Sequence, residues 1–300
     1  MQIVNITQRK FNTLKKLELP SNVFSREADL YVISGKDKWD KKETLLKKLH
    51  IGTGEVFSNK LYTINELLNK KEEIGIDELI MPEALAAIDN EVVGFTMPYI
   101  PSINFQELLD SKEFTITQKM AYLKEIGELL EKLHKVREYT NIKGFYLNDI
   151  HENNFILNKK TGKINVVDLD SCKIGNNLTE AARYLTSIGS QLQYITKYSP
   201  LNYSVGGIYE ISENTEIYCY IIMIFNFLYG SNIGKMSITE FYVYLDYLID
   251  IGVSKEFVDK ISYIYTGKNN ENPYKYLDEL PRFLDKTQKS VFERVRKKGI

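Results

Sequence analysis

A change in sequence pattern near residue 100 limits the folds open to this chain more than any other feature. The first hundred residues carry short runs of β-branched and aromatic residues, such as Ala28 to Ser34, separated by turns. After Pro98, apolar residues recur at helical spacing, as they do from Thr117 to Lys135. The sequence therefore predicts an α+β protein with a small strand-rich region, residues 1–100, and a larger helical region, residues 101–300.

The strand-rich region is predicted to contain one helix between its strands. Lys42 to Leu49 has the composition of a strand. Asn59 to Ile74 changes to helical spacing, with its leucines and isoleucines on one face. Ile88 to Ile100 is predicted to form a hairpin that turns at Asp89-Asn90.

Composition and charge exclude several classes of protein. A hydrophobic content of 43% and a charged content of 26% are typical of soluble globular proteins. The net charge of −1 gives no reason to expect nucleic acid or an anionic membrane as a partner. Cys172 and Cys219 lack the spacing of a disulfide framework or a metal site, and Met1 to Lys10 has no apolar signal-peptide core. We therefore expect a cytoplasmic protein.

Acidic and amide side chains cluster in two neighbouring segments of the helical region. Asp149 precedes Asn154 by five residues on a predicted loop, and Asp168 and Asp170 follow a predicted strand, Lys163 to Val167. Phosphoryl transfer needs a carboxylate that accepts the proton of the attacking hydroxyl, and it needs oxygen ligands for magnesium. A single Asp–Asn pair is common in turns. The prediction therefore depends on the long helix before the loop and the hairpin after it.

These two segments resemble the catalytic loop and the metal-binding DFG segment of the protein-kinase-like superfamily. The resemblance covers nearly the whole chain and implies a two-lobed fold that binds ATP and Mg²⁺. It implies that Asp149 is the catalytic base, and that Asn154 and Asp168 hold Mg²⁺ with help from Asp170.

The strand-rich region carries further parts of the resemblance. Thr44-Leu45-Leu46-Lys47 is similar to the strand that bears the phosphate-positioning lysine. This similarity implies that Lys47 binds the α- and β-phosphates and that Glu66, on the following helix, forms an ion pair with it. Lys48 is a rival for this role, because a register slip of one residue turns a strand over.

The segment Phe95 to Ile100 looks like the strand and hinge that hold adenine in this superfamily. The likeness implies that Met97 is the gatekeeper residue beside the nucleotide. It also implies that Tyr99 and Ile100 contact the adenine.

Some residues depart from the superfamily pattern. Phe24 to Tyr31 has no glycine where the family has a glycine-rich loop. Asn148 stands where many protein kinases have an arginine that pairs with a phosphorylated activation segment. We therefore predict activity that does not depend on phosphorylation near Thr186 or Thr196.

The phosphate acceptor is left open between two classes. A protein serine or threonine is slightly preferred, because no large insertion for a small-molecule pocket is evident around Lys173 to Asn202. Against this, Asp149, His151 and Asn154 fit the Asp-x-His-x-x-Asn pattern of aminoglycoside and choline kinase-like enzymes, although His151 is also explained by a structural role. A pseudokinase that binds or scaffolds without turnover is the third alternative, favoured by the glycine-free loop.

Overall fold

The structure, a computed structural model, describes residues 2–18, 27–33, 43–50, 52–139, 142, 145–177, 204–205, 208–209, 211–229, 237–250, 252–265 and 271–279. The chain divides into two compact units. Unit 1 consists of Met1–Ile103, Val136–Phe145 and Asn158–Thr179, and unit 2 consists of Asn104–Lys135, Tyr146–Leu157 and Glu180–Ile300. Unit 1 therefore contains not only the strand-rich region but also the later segment that carries Asp168.

Unit 1 is built on a six-stranded sheet. Its strands are β1 (Ile3–Ile6), β2 (Lys15–Lys16), β3 (Ala28–Ile33), β4 (Thr44–Leu49), β5 (Ala84–Ile88) and β6 (Glu91–Pro98). They lie in the order β1-β5-β6-β4-β3-β2, and all neighbours are antiparallel except β1 and β5, which are parallel. The hairpin between β5 and β6 turns at Asp89 and Asn90, as predicted. Their φ angles of 47° and 72° are both positive, as a two-residue type I′ turn requires.

Two helices of unit 1 accompany the sheet, α1 (Gln8–Phe11) and α2 (Glu55–Ile74). Leu46 of β4 belongs to a core cluster that also contacts Phe11 of α1. Leu49 of β4 packs with Phe57 of α2. Because successive residues of a strand point to opposite faces, Lys47 lies on the same face as Leu49. The sheet therefore presents Lys47 on its α2 side.

Helix α2 starts four residues before the predicted Asn59 and ends at the predicted Ile74. Gly75 follows in the left-handed conformation, with φ of 56°, and its N–H donates to the carbonyl oxygen of Lys71. A left-handed glycine after the last helical residue is a common helix stop. The glycine therefore explains why the predicted end of α2 is correct.

Unit 2 is mainly helical. Its helices are α3 (Phe105–Asp110), α4 (Ile116–Tyr139, which ends in unit 1), α5 (Glu213–Tyr229), α6 (Ile238–Asp250), α7 (Lys255–Tyr265) and the 3-10 helices Glu152–Asn154 and Pro273–Glu279. Helix α5 is buried on all sides from Ile217 to Phe225, which agrees with its apolar sequence. The spacing of apolar residues from Tyr274 to Arg296 also predicts a helix, most of which lies outside the described residues.

The remaining strands are short. They are β7 (Ser102–Asn104), β8 (Phe155–Asn158), β9 (Ile164–Val166), β10 (Ser204–Val205) and β11 (Ile208–Tyr209). Within unit 1, Val166 of β9 is hydrogen-bonded on both sides, donating to Glu78 and accepting from Ile80, each at 2.9 Å. These bonds fix the segment that continues from β9 to Asp168.

Helices and a mostly antiparallel sheet are both present, as the α+β prediction requires. In the part of the chain that the structure describes, no helix combines the length and the hydropathy needed to cross a membrane.

Candidate functional site

Unit 1 contains a group of charged side chains, Lys47, Lys60, Asp168 and Asp170, which we call the lysine–aspartate cluster. Lys47 of β4 pairs with Asp168 and with Asp170, and the distance from its Nζ to Oδ1 of Asp170 is 2.5 Å. Nζ of Lys60, on α2, lies 3.1 Å from Oδ2 of Asp170 and 2.8 Å from Oε2 of Glu27. The five charges therefore alternate in sign along one chain of ion pairs that runs from Glu27 to Asp168.

Asp170 is the most deeply buried member of the cluster. Its side chain is 0% exposed, and that of Lys47 is 9% exposed. Burial disfavours the charged carboxylate, but the charges of Lys47 and Lys60 outweigh it and hold the pKa of Asp170 below its ordinary value. Burial alone would lower the pKa of Lys47, but Asp168 and Asp170 outweigh that effect and raise it. Lys47 and Asp170 therefore remain charged at neutral pH.

Asp168 differs from Asp170 because it reaches solvent. Its side chain is 38% exposed, and its Oδ1 atom pairs with Lys47. Its backbone has φ of 65°, in the left-handed region that residues other than glycine seldom adopt. Both oxygens of Asp170, in contrast, are engaged by ammonium groups. Of the two aspartates, Asp168 is therefore the better placed to bind a cation from solvent.

The donor atoms present fit magnesium better than a transition metal. Mg²⁺ binds few protein carboxylate or amide oxygens and completes its coordination with water and substrate phosphates. Asp168 carries such a carboxylate oxygen, and Asn154 carries such an amide oxygen. Among the described residues, no three His, Cys, Asp or Glu side chains form a metal-binding group. Asp170 fits the predicted metal role less well than Asp168 does, because lysines occupy its oxygens.

The structure distinguishes Lys47 from Lys48, the alternative candidate for the phosphate-binding lysine. Nζ of Lys47 lies 5.7 Å from the centre of the Phe95 ring, inside the cluster. Nζ of Lys48 lies 5.8 Å from the centre of the Phe11 ring, on the other face of the sheet. Of the two lysines, Lys47 is therefore the one that reaches the aspartates.

Gly94 of β6 allows this packing, and the sequence reasoning missed it. A Cβ atom at residue 94 would come within 1.9 Å of the carbonyl oxygen of Lys47. No larger residue fits there unless β4 moves. A glycine inside a strand often marks such a close backbone approach, so the signal was present in the sequence.

Lys47 and Glu66 are both described by the structure, but they do not form the predicted ion pair with each other. Glu66 pairs instead with Lys70, one turn later on α2, at 3.2 Å. An α-helix advances about 100° per residue, so Lys60 and the buried Leu67 share one face and Glu66 falls outside it. The contribution of α2 to the cluster is therefore a lysine and not a glutamate.

The predicted adenine-contacting residues lie at the end of β6. Met97 is buried and stands opposite Leu45 of β4. Tyr99 and Ile100 follow β6 and are half-buried. The N–H of Tyr99 donates to the carbonyl oxygen of Glu43 at 3.0 Å, which extends the alignment with β4 past the strand end. Contact of these residues with adenine stays a prediction.

Unit 2 carries the second group of candidate residues, Leu147 to Asn154, which we call the Asp149 loop. The N–H groups of Asp149 and Ile150 donate to carbonyl oxygens two residues earlier, at 2.8 and 3.1 Å. Asn148 has φ of 64°, a conformation that asparagine adopts more readily than arginine does. The backbone of this tightly turned loop therefore favours an asparagine at residue 148.

His151 holds the carboxylate of Asp149. Its side chain is 3% exposed, and its Nε2 lies 3.2 Å from Oδ2 of Asp149. Its Nδ1 lies 3.2 Å from the backbone nitrogen of Asn153. A backbone N–H can only donate, so Nδ1 must accept, and this bonding assigns the proton to Nε2, which donates it to Asp149. His151 therefore orients Asp149, as the structural interpretation of this histidine predicts.

Asn154 also bonds to Asp149. Its Nδ2 donates to the carbonyl oxygen of Asp149 at 2.8 Å. Its backbone N–H donates to the carbonyl oxygen of His151 at 3.0 Å. Because the amide nitrogen is engaged within the loop, the side-chain oxygen is the atom suited to bind a metal ion.

The buried carboxylate of Glu216 anchors the Asp149 loop to α5. Its Oε1 accepts the N–H of Leu147 at 2.5 Å, and its Oε2 lies 3.1 Å from Nε2 of His134 on α4. One turn later, burial raises the pKa of the Cys219 thiol, and the charges of Asp149 and Glu216 add to this effect. The sequence carries a signal for this anchor, because Glu216 directly precedes the mostly apolar run from Ile217 to Tyr229.

Two predicted features lie wholly or partly outside the described residues. Thr186 and Thr196 are outside them, as are Phe24, Ser25 and Arg26 of the glycine-free segment Phe24 to Tyr31. Of that segment, Glu27 is described as the ion-pair partner of Lys60.

A scan against protein-family models and a search of curated protein sequences found no match to this chain.

Proposed function

We propose that this chain is an ATP- and Mg²⁺-dependent phosphotransferase of the protein-kinase-like fold, which moves the γ-phosphate of ATP to a hydroxyl group. One observation carries the proposal. Lys47 and Asp168 were assigned to the phosphates and to the metal from separate motifs, and they form an ion pair across 121 residues of sequence. Lysine is rarely buried unless it is paired, and the Lys47 side chain is only 9% exposed, so its pairing with Asp168 supports a specific role.

The cluster in unit 1 suits the binding of a charged nucleotide. Lys47 is a cation at neutral pH and sits beside the partly exposed Asp168, so it can bind phosphate oxygens close to a metal ligand. Asp168 and the side-chain oxygen of Asn154 would hold Mg²⁺. Mg²⁺ held there would offset the negative charge that develops on the phosphate during transfer.

The Asp149 loop in unit 2 suits the handling of the acceptor hydroxyl. The carboxylate of Asp149 accepts the hydroxyl proton as the hydroxyl oxygen attacks the γ-phosphorus. The bond between that phosphorus and the β–γ bridging oxygen breaks, and ADP leaves. His151 donates from Nε2 and Asn154 bonds to the Asp149 carbonyl, and both contacts keep the carboxylate in one orientation.

A protein serine or threonine remains the preferred acceptor, with a small-molecule alcohol as the alternative. The orienting role of His151 serves either acceptor, because it acts on Asp149 and needs no contact with the acceptor. The histidine that matched the small-molecule kinases therefore no longer favours that class.

The test is to incubate the purified protein with γ-labelled ATP and Mg²⁺, together with a pool of proteins or a pool of small-molecule alcohols. We expect label transfer that requires Mg²⁺ and that falls at least about a hundredfold in Asp168→Asn, as loss of a group acting in the transition state does. Asp278→Asn is the matched control, because the Asp278 side chain is 69% exposed and lies outside the candidate site.

The pool that receives the label identifies the acceptor class. Mg·ATP binding without transfer to either pool would support the pseudokinase alternative. Absence of Mg·ATP binding to the wild-type protein at millimolar concentration, measured by calorimetry, would contradict the proposal.

A further inference from the structure

Helix α2 contributes a positive charge to the lysine–aspartate cluster, where the resemblance predicted a negative one. The side chain of Lys60 is 15% exposed, and its ammonium group lies between Asp170 and Glu27. A long lysine side chain on a helix can normally keep its charge in water. The burial of Lys60 therefore needs an explanation in terms of what it holds.

We infer that Lys60 is a positioning residue that orients Asp170 and, through Asp170, the phosphate-binding ammonium group of Lys47. The inference rests on the proposed function only in assigning Lys47 to the phosphates. Lys60 engages Oδ2 of Asp170, and Lys47 engages Oδ1. Each oxygen therefore has its own cation, and the carboxylate is held in one orientation.

The balance of charge explains why a second lysine is needed. Asp168 and Asp170 both pair with Lys47, and the Asp170 side chain is 0% exposed to solvent. Without Lys60, one oxygen of Asp170 would lose its partner, and a buried charged group without a partner is strongly destabilising. The carboxylate could recover a partner only by drawing Lys47 away from Asp168. Lys60 therefore keeps Lys47 beside the metal-binding aspartate.

A second, uncharged contact fixes α2 against the same segment. Nδ2 of Asn177 donates to Oγ1 of Thr63 at 2.7 Å, and its Oδ1 accepts the N–H of Ile174 at 2.9 Å. Thr63 follows Lys60 by three residues, so the two lie close together on the helix surface. The segment after Asp168 is therefore tied to α2 at two points, and Lys60 is held level with Asp170.

Lys60 also connects the cluster to the chain just before β3. Its ion pair with Glu27 is 2.8 Å long, and the backbone of Glu27 accepts the N–H of His50 at 2.8 Å. One ammonium group thereby links the start of β3, helix α2 and the segment that follows β9. This position, between three parts of unit 1, suits a residue that sets the geometry of its neighbours.

The test compares Lys60→Met with Lys60→Arg, which keeps the charge, and with Lys70→Met, which removes a lysine of the same helix whose partner is Glu66. Mg·ATP affinity is measured by calorimetry well below each melting temperature. We expect the Kd to rise about tenfold in Lys60→Met, or about 1.4 kcal/mol. Lys60→Arg should recover most of the loss, and Lys70→Met should match the wild type. A folded Lys60→Met protein with wild-type affinity would overturn the inference.

A melting experiment without nucleotide separates failure of this inference from failure of the proposed function. The variants are Lys60→Met, Asp170→Asn and the double variant. We expect non-additive shifts, because Asp170→Asn should lower the melting temperature by several degrees less in the Lys60→Met background than in the wild type. Additive shifts would overturn the inference whether or not the protein binds ATP. Non-additive shifts in a protein that does not bind Mg·ATP would overturn the proposed function and leave the orienting contact supported.

Discussion

The lysine–aspartate cluster of unit 1 and the Asp149 loop of unit 2 hold their candidate catalytic groups by different means. The cluster joins β4, α2 and the segment after β9 through buried ion pairs that span more than a hundred residues of sequence. The loop holds Asp149 mainly through hydrogen bonds to residues within five positions, together with the anchor at Glu216.

Substitutions can separate stability from chemistry in the Asp149 loop but not in the lysine–aspartate cluster. A buried ion pair that loses one partner leaves an uncompensated charge, so substitutions in the cluster should change folding and ligand binding together. A local hydrogen-bond network can accept an amide in place of a carboxylate, so a substitution in the loop can remove the chemistry and keep the fold.

The largest expected effect is on turnover, at Asp149. Asp149→Asn should lower kcat by roughly 10²–10⁴, the usual scale of general-base catalysis. Mg·ATP affinity and the melting temperature should change little, because an asparagine oxygen can still accept the Nε2–H of His151. Single-turnover kinetics and calorimetry measure the two quantities. If nucleotide affinity fell as far as turnover, Asp149 would act on the nucleotide or its metal and the comparison would fail.

The second effect is on stability, at Lys47. Lys47→Met should lower the free energy of unfolding by about 3–5 kcal/mol, because Asp170 loses a buried partner. The same change should weaken Mg·ATP binding. Lys48→Met is the matched control on the opposite face of β4, and it should cost less than about 1 kcal/mol, the scale of an exposed cation–π contact.

Urea unfolding of Lys47→Met and Lys48→Met measures the free energy of unfolding, and calorimetry measures their affinity for Mg·ATP. Similar values for the two substitutions would show that the side-chain alternation of β4 had been misassigned.

The smallest of the three effects is expected at Glu216, the long-range contact of the Asp149 loop. Glu216→Ala leaves the buried N–H of Leu147 and the ring of His134 without this acceptor, and it should cost about 2–3 kcal/mol of unfolding free energy. Glu213→Ala is the control, because the Glu213 side chain is 50% exposed and lies 3.8 Å from His134. That control should change stability by less than about 0.5 kcal/mol.

Chemical denaturation at neutral pH provides the comparison between Glu216→Ala and Lys47→Met. A loss at Glu216 as large as that at Lys47 would show that the loop depends on a buried charge as heavily as the cluster does.

The sequence predicted those elements whose pattern is local. Strands β3, β4 and β6 and helix α2 were predicted within a few residues of their observed bounds, because their side chains alternate or recur at helical spacing. Strand β1 was missed, since it has four residues, and its partner β5 lies about eighty residues later in the chain. No local pattern reports such a pairing.

The candidate site was predicted only in part, because local patterns reveal some of its residues and the others depend on long-range packing. Asp149, Asn154 and Asp168 stood out because their spacing is characteristic, and Lys47 because its strand was recognised. Predicting which side chain of α2 faces Lys47 requires the rotational phase of the helix, and an error of one residue turns that phase by about 100°. Lys60 gave no signal, because an isolated lysine on a helix ordinarily indicates a solvent-facing side chain.

The discontinuity of unit 1 has a consequence for how the protein is made. Ribosomes add about 5–20 residues per second. The 121 residues that separate Lys47 from Asp168 therefore correspond to roughly 6–24 s of synthesis. From the addition of Lys60 until that of Asp168, the nascent chain holds both lysines of the cluster and neither of its aspartates. Translation of the first hundred residues thus supplies the sheet of unit 1 but not the charges that neutralise its interior, so this unit reaches its native state only after more than half of the polypeptide has been synthesised.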